Sequence, residues 1–149
     1  MTTIFEPATL QSLLWRIEKL TPNSQGLWGK MNAGQMMAHC SAVLEIALSD
    51  KQVKREIMAL IFGKMAKNMI ISDKPFKKNL PTDKNFLVTN PVDFDREKTR
   101  FIELLTKFST GGAEPLHNKM HPFFGKMTAD EWSASQLKHI DHHLRQFGA

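Results

Sequence analysis

Residues 129–146 read ADEWSASQLKHIDHHLRQ, and this stretch decides the fold class that the sequence predicts. Thr128 with Glu131 three residues later is a capping box, which predicts a helix over about 129–147 that ends before Gly148. At about 100° of rotation per residue, the apolar side chains of this helix form one broad stripe. That stripe consists of Trp132, Leu137, Ile140, Leu144 and Phe147. The helix is therefore expected to lie against the core of a helical bundle.

The same helical geometry assigns the three histidines of this helix to two different faces. His139 and His143 fall inside the apolar stripe, one turn apart and beside Gln136, whereas His142 falls on the polar side near Glu131. Two imidazoles at i and i+4 on one helix face are a common arrangement of metal ligands. We therefore predict that His139 and His143 face the core and that His142 points outward.

A second predicted helix contributes a further histidine to the core. Asn32 and Gln35 form another capping box, which starts a helix over about 33–49. His39 lies at the edge of the apolar stripe of this helix, and Cys40 lies about 100° away from it, so Cys40 is expected to be a small core residue. His39, His139 and His143 thus point into one bundle from two helices.

Burial of three imidazoles requires a partner for their nitrogens. An unpaired buried polar group costs about 1–3 kcal/mol, and a bound cation satisfies one nitrogen of each ring. Three neutral histidines with an open coordination position are also the arrangement that catalytic zinc uses. A core histidine with satisfied nitrogens is the commoner explanation for each residue taken singly. Together they predict a metal site on His39, His139 and His143.

The rest of the chain follows the helical pattern. Pro7 suits the first turn of a helix over about 7–20, and a further helical segment runs through Ile57, Ile61 and Met65. Asp93 or Asp95 can cap a fourth principal helix, which Gly111-Gly112 stops.

Prolines and glycines indicate long loops around 72–93 and 111–127, and no alternating strand pattern is present. The sequence therefore predicts an all-α fold, a four-helix bundle with an extra helical segment, in a single domain over 1–149.

Composition restricts the class of protein. The chain has 149 residues, of which 42% are hydrophobic and 23% charged, as expected of one globular domain. A single cysteine excludes a disulfide framework within the chain and is compatible with a reducing compartment. No apolar run reaches the ~20 residues of a membrane helix, and no basic leader precedes the first helix. We expect a cytoplasmic protein without a membrane partner.

The formal net charge of +5 arises from residues 50–84, which contain nine basic and four acidic residues. The bases are Lys51, Lys54, Arg55, Lys64, Lys67, Lys74, Lys77, Lys78 and Lys84. A solvated helix face and a lysine-rich loop explain this excess most simply. A surface for nucleic acid is the alternative, but the segment lacks a recognisable nucleic-acid fold signature and aromatic interleaving. Nucleic acid is therefore not an expected partner.

Three stretches of the sequence resemble the DinB-like superfamily. Residues 28–39 (WGKMNAGQMMAH) resemble the entry to its second helix, where a Trp and a Gln precede the first metal histidine. Residues 139–146 resemble its last-helix signature, His-x-x-x-His followed closely by Arg and Gln. Residues 121–128 (HPFFGKMT) with Trp132 look like an uncharacterised subfamily. The superfamily tail often reads His-Arg-Gly-Gln, whereas Leu144 and Arg145-Gln146 follow His143 here. The lysine-rich segment is not part of the signature.

The resemblance implies a four-helix bundle that binds one divalent metal, Zn or Ni, at His39, His139 and His143. Characterised members of the superfamily include thiol-dependent transferases and isomerases, such as bacillithiol transferases and maleylpyruvate isomerase. A small-molecule substrate, such as a low-molecular-weight thiol, would then occupy an open coordination position. Catalytic residues are not assigned.

Residues before and on the last helix are expected to line a pocket: His121, Trp132 and Gln136. A loop-cap contact is the alternative role of His121.

Two non-enzymatic alternatives stay open at this point. One is a bundle with a vestigial metal site that acts by association or anionic-surface binding through the 50–84 segment. The other is a metal sensor, for which the sequence offers no specific feature. A homodimer is the default expectation for the oligomeric state.

Overall fold

The computed structural model describes residues 2–49, 57–72, 74–82 and 86–149. The described residues form five α-helices, and the all-α prediction is confirmed. The helices are α1 (Pro7–Glu18), α2 (Ala33–Leu48), α3 (Ile57–Ile71), α4 (Phe94–Gly111) and α5 (Ala129–Gln146). α1, α2 and α5 begin where the sequence predicts and end one or two residues earlier than predicted.

The ends of the helices are set by the residues that the sequence indicated. The Asn32 and Gln35 capping box opens α2, and the Thr128 and Glu131 capping box opens α5. Asp93, and not Asp95, caps α4 by accepting a hydrogen bond from the backbone of Arg96. Such caps satisfy backbone N–H groups that have no partner inside the helix.

The main core lies between α1, α2, α4 and α5. α2 and α4 pack on each other along their length, and α1 contacts both α4 and α5. α3 lies to one side, where it packs on α5 and on residues 125–127, which precede α5. The largest fully buried side chains include Ile17, Met36, Met37, Leu44, Phe101, Leu105, Phe108, Trp132, Ile140 and Leu144.

The segment 111–127 differs from the predicted irregular loop. It contains a short 3-10 turn (Glu114–Leu116) and an antiparallel hairpin, β1 (Lys119–His121) with β2 (Gly125–Met127). Gly125 has a positive φ of 77°, which suits the end of the tight turn that begins at Pro122. Each strand has three residues, too few for an alternating pattern to be recognised in the sequence. The described part of 72–93 contains no α-helix or strand, as predicted.

Candidate metal centre

The three predicted ligands meet at one point of the bundle. The Nε2 atoms of His39 and His139 are 2.9 Å apart. One ring nitrogen from each of His39, His139 and His143 can be chosen so that all three lie within 4.8 Å of one another. The centroids of the three rings are 4.7–4.8 Å apart. The structure therefore brings together residues that are 100 positions apart in the sequence.

Two helices set this convergence. α5 carries His139 and His143 one turn apart, so both rings project from the same face toward α2. α2 presents His39 from the facing helix. His39 and His143 are 5% and 9% exposed, and the Nδ1 atom of His139 is buried. The cluster is thus shielded from bulk water.

Hydrogen bonds from the outer nitrogens orient two of the rings. Nδ1 of His39 lies 2.9 Å from the backbone oxygen of Phe86, and Nδ1 of His143 lies 2.8 Å from Oε1 of Gln146. Both oxygens can only accept, so each Nδ1 carries the proton and donates it. The Nε2 lone pairs of His39 and His143 are therefore available to a cation. Metal-bound histidines commonly have such an outer partner.

Gln146 connects the cluster to the loop before α2. Its Nε2 atom donates to the backbone oxygen of Trp28 at 2.7 Å, while its backbone oxygen accepts from Leu27. Gly29 has a φ of 80°, and a Cβ atom placed there would lie 2.5 Å from Nε2 of Gln146. Gly29 thus allows the loop to approach the side chain that holds His143.

Burial keeps the three imidazoles neutral. It lowers the pKa of His39, although the hydrogen bond to Phe86 acts in the opposite direction. Burial and then the neighbouring histidines lower the pKa of His139 well below its usual value. Burial, together with His39, lowers the pKa of His143 to about 4. Neutral imidazole is the form that binds a metal, so these ligands need not lose a proton at pH 7.

The donor set fits a divalent transition metal. Imidazole nitrogen is a ligand that zinc, copper, nickel and iron accept. Zinc–nitrogen bonds of about 2.0–2.1 Å in a tetrahedron separate the ligand nitrogens by ~3.3 Å. The Nε2 separation of His39 and His139, 2.9 Å, is close to that spacing. Three buried histidines could therefore hold a metal ion, and they do not select which one.

The residues predicted to line a pocket lie along the inner face of α5 and next to it. Trp132 and Gln136 are fully buried, and among the described residues no partner is present for the Trp132 indole N–H or either polar atom of the Gln136 amide. His121 stacks on Phe124 and contacts Trp132. Its Nδ1 accepts hydrogen bonds from the backbone N–H groups of Phe123 and Phe124. The predicted loop-cap role of His121 is therefore present, with Nδ1 as the accepting nitrogen of the ring.

His142 is not directed into solvent as the helical projection suggested. Its half-buried ring contacts Trp28, Phe76 and His143, with centroids 5.2–5.6 Å apart. The ring lines a cavity of about 240 Å³ whose other walls include Trp28 and Phe76. Residues 74–82 fold back over α5, which the sequence pattern of α5 alone could not reveal. Lys78, Lys138 and Arg145 also line the cavity.

Sequence reasoning missed Gln146 and Phe86 as supports of the site. Gln146 follows His143 by three residues on the same face of α5, so helical spacing contained the signal. The contact of Phe86 is made by its backbone oxygen, which no side-chain pattern can indicate.

Cys40 lies apart from this chemistry, and Lys78 is the described base of the 50–84 segment that lines the cavity beside His142. Cys40 is fully buried against Met36, and burial raises the pKa of its thiol. Lys67 pairs with Glu131, whereas Lys64, Lys74, Lys77 and Lys78 are exposed. The predicted bases Lys51, Lys54, Arg55 and Lys84 lie outside the described residues. None of the described helices is long and apolar enough to cross a bilayer.

The fold and site define a helical bundle with a buried three-histidine cluster. A family model matches residues 6–149, and the chain belongs to that family, DUF1569, proteins of unknown function. Neither the curated proteins nor the solved structures contain a match to the chain.

Proposed function

We propose that this protein is a metal-dependent enzyme of the DinB-like type, with a divalent ion, Zn or Ni, on His39, His139 and His143. The observation that carries this proposal is the convergence of three neutral imidazoles, two of which have Nε2 atoms 2.9 Å apart. The outer hydrogen bonds of His39 and His143 leave their Nε2 lone pairs directed at the centre of the cluster, where a cation is a partner that both can bind.

The protein orients the imidazole rings and excludes water from around them. Phe86 and Gln146 hold the rings of His39 and His143 through their outer nitrogens. When bound, a metal at this position would lower the pKa of a coordinated water or thiol and so maintain a nucleophile at neutral pH. Three protein ligands leave a coordination position for such a group.

The cavity beside His142 supports a small-molecule substrate. Its volume of about 240 Å³ is next to the cluster, since His142 and His143 have ring centroids 5.2 Å apart. Its aromatic walls are Trp28, Phe76 and His142. Three basic residues, Lys78, Lys138 and Arg145, outnumber the one acidic residue, Asp141, with which Arg145 is paired, and the net positive charge complements an anionic molecule. A low-molecular-weight thiol with carboxylate groups has this character, and a thiol-dependent transfer or a related hydrolysis or isomerisation is the proposed reaction class.

Metal analysis tests the first step of this proposal. The purified wild-type protein, dialysed and then loaded with Zn²⁺ or Ni²⁺, is expected to retain one ion per chain in elemental analysis. X-ray absorption should give nitrogen ligands at about 2.0–2.1 Å for zinc. His139→Ala is expected to lose the ion. His117→Ala is the matched control, because His117 is exposed and outside the cluster. Wild-type protein that stays metal-free after loading would overturn the proposal.

Activity is the second step and is tested separately. Metal-loaded protein should accelerate the reaction of a low-molecular-weight thiol with an electrophilic substrate, and His139→Ala should not. A loaded protein with no thiol-dependent activity would contradict the transferase assignment and favour the alternative, an association module with a vestigial site.

A further inference from the structure

α3 exposes a large apolar surface on the outside of the bundle. Seven of its large hydrophobic side chains are 42–75% exposed. They are Ile57, Met58, Leu60, Ile61, Phe62, Met65 and Met69. We call this set the α3 face. At roughly 115 Å² each, the seven residues expose on the order of 800 Å², which exceeds the ~300–600 Å² of the largest patch on a typical monomer.

The orientation of α3 explains why the large side chains are outside. Its buried residues are Ala59 and Gly63, and these small residues lie on the side that packs against α5 and β2. Small residues allow close approach of the helix but bury little apolar area. A helix that is apolar on nearly all sides is normally covered on all sides. The α3 face is therefore expected to have a partner.

We infer that the α3 face is the interface of a homodimer, in which α3 packs against α3 of a second copy. This inference is independent of the proposed metal-dependent function. The residues Ile57, Ile61, Met65 and Met69 recur every four positions and form one ridge along the helix. When two helices both present ridges of residues four positions apart, the ridges interdigitate at a crossing angle of about −50° between the helices. A twofold axis near Ile61 would place the same patch on both sides, as isologous interfaces require.

The accessible area agrees with a dimer. A monomer of 17.0 kDa is expected to expose about 7,700 Å², whereas this chain exposes 9144 Å². The chain thus exposes roughly 1,400 Å² more than this expectation, and the α3 face accounts for on the order of 800 Å² of its exposed area. The estimated 800 Å² of the α3 face equals the share of one partner in an interface of standard size.

Charge favours a second copy over an anionic membrane. Helices that lie on membranes carry lysines and arginines on the face opposite their apolar face. The opposite face of α3 is packed on α5 and β2, and Lys67 is already paired with Glu131. Two exposed polar residues, Lys64 and Asn68, lie within the arc of the α3 face, about 60° and 20° from Ile61. The long side chain of Lys64 can extend from there to solvent at the rim of a dimer.

Light scattering after size-exclusion chromatography tests the inference with the full chain. The wild type at about 50 μM is expected to elute as a dimer of twice 17.0 kDa. Ile61→Glu with Met65→Glu should raise the dimer dissociation constant by about 100-fold or more, because each substitution acts twice in a symmetric interface. Trp15→Glu is the control, since Trp15 is 61% exposed on α1. A monomeric wild type, or a dimer that persists in the double variant, overturns the inference.

Cross-linking gives a second measurement that does not depend on weakening the interface. Ile61→Cys is expected to form a disulfide-linked dimer under mild copper-phenanthroline oxidation, whereas Trp15→Cys should not. Circular dichroism of each variant reports whether the helices are retained. Sedimentation with phosphatidylglycerol vesicles tests the alternative, that an anionic membrane covers the α3 face. A monomeric wild type that binds the vesicles, and loses this binding on substitution of Ile61, would contradict the dimer.

Discussion

The side chain of Gln146 holds the ring of His143, with Nδ1 of His143 and Oε1 of Gln146 2.8 Å apart. Both residues are buried on the last two turns of α5. The other end of the same amide donates to Trp28, so Gln146 has each of its polar groups in a defined bond. Gln146 is not one of the proposed ligands, but its hydrogen bond determines that His143 presents Nε2 to an ion.

Removal of the Gln146 amide should weaken metal binding without removing a ligand. Gln146→Leu leaves Nδ1 of His143 without its acceptor, and loss of such an outer partner typically costs about 10–100-fold in metal affinity. Competition with a zinc-binding dye measures the change. Gln146→Glu retains an acceptor for Nδ1 but cannot donate to Trp28, so its metal affinity should lie between those of the wild type and Gln146→Leu. Gln25→Leu, at an exposed loop position, should have no effect.

Gly29→Ala is expected to disturb the same support from the opposite side. The new Cβ atom would lie 2.5 Å from Nε2 of Gln146, at a φ of 80° that costs an L-residue roughly 1–2 kcal/mol. Thermal melts without zinc should show lower stability than the wild type. Melts with zinc should show a smaller stabilisation by the ion, which reports weaker metal binding. Gly111→Ala is the control, because nothing lies within 4 Å of its Cβ position and alanine favours a helix. Equal behaviour of the two variants would refute the steric argument.

The stability of the metal-free protein should depend on pH between about 6.5 and 4. Burial lowers the pKa of His143 to about 4, so the unfolded chain takes up a proton before the folded one does as pH falls. Stability is therefore complete above the ordinary pKa near 6.5 and declines as pH falls toward 4. The change from 6.5 to about 4 corresponds to on the order of 3 kcal/mol.

Urea midpoints at pH 7, 6, 5 and 4.5 measure this dependence. His143→Asn should reduce the decline and leave the part that His39 and His139 contribute, because burial lowers their pKa values too. The exposed His117→Asn should leave the decline unchanged. A decline of the same size in His143→Asn would assign the effect to other groups.

Gln136 offers a test of a buried amide without a partner. Both polar atoms of its side chain lack a hydrogen bond among the described residues, and an unpaired buried polar group costs about 1–3 kcal/mol. Gln136→Met, of similar shape, should therefore raise the free energy of unfolding by about 1 kcal/mol in the metal-free protein. Gln146→Met should lower it, because that amide is fully bonded. Chemical denaturation distinguishes the two, and a destabilised Gln136→Met would show that its amide is bonded in solution.

The helices could be predicted because their signals are local. The capping boxes at Asn32 and Thr128 fix where α2 and α5 begin, and rotation by about 100° per residue placed His39, His139 and His143 inside the bundle. Orientation within a helix depends only on neighbours along the chain, which the sequence contains.

Features that depend on other segments could not be predicted in this way. The ring of His142 is half-buried because Trp28 and Phe76 lie against it, although the pattern of α5 alone directs it outward. The hairpin at His121 has strands of three residues, which carry too little pattern. Phe86 acts through its backbone oxygen. Each of these requires tertiary contacts that no single helix encodes.

The separation of His39 from His139 by 100 residues has a consequence for how the protein acquires an ion. Contacts between distant segments form late in folding, because a long loop must close first. A nascent chain that has only α2 outside the ribosome holds one of the three ligands. The ion would therefore be loaded after translation of α5, and its binding energy would add to the stability of the finished fold.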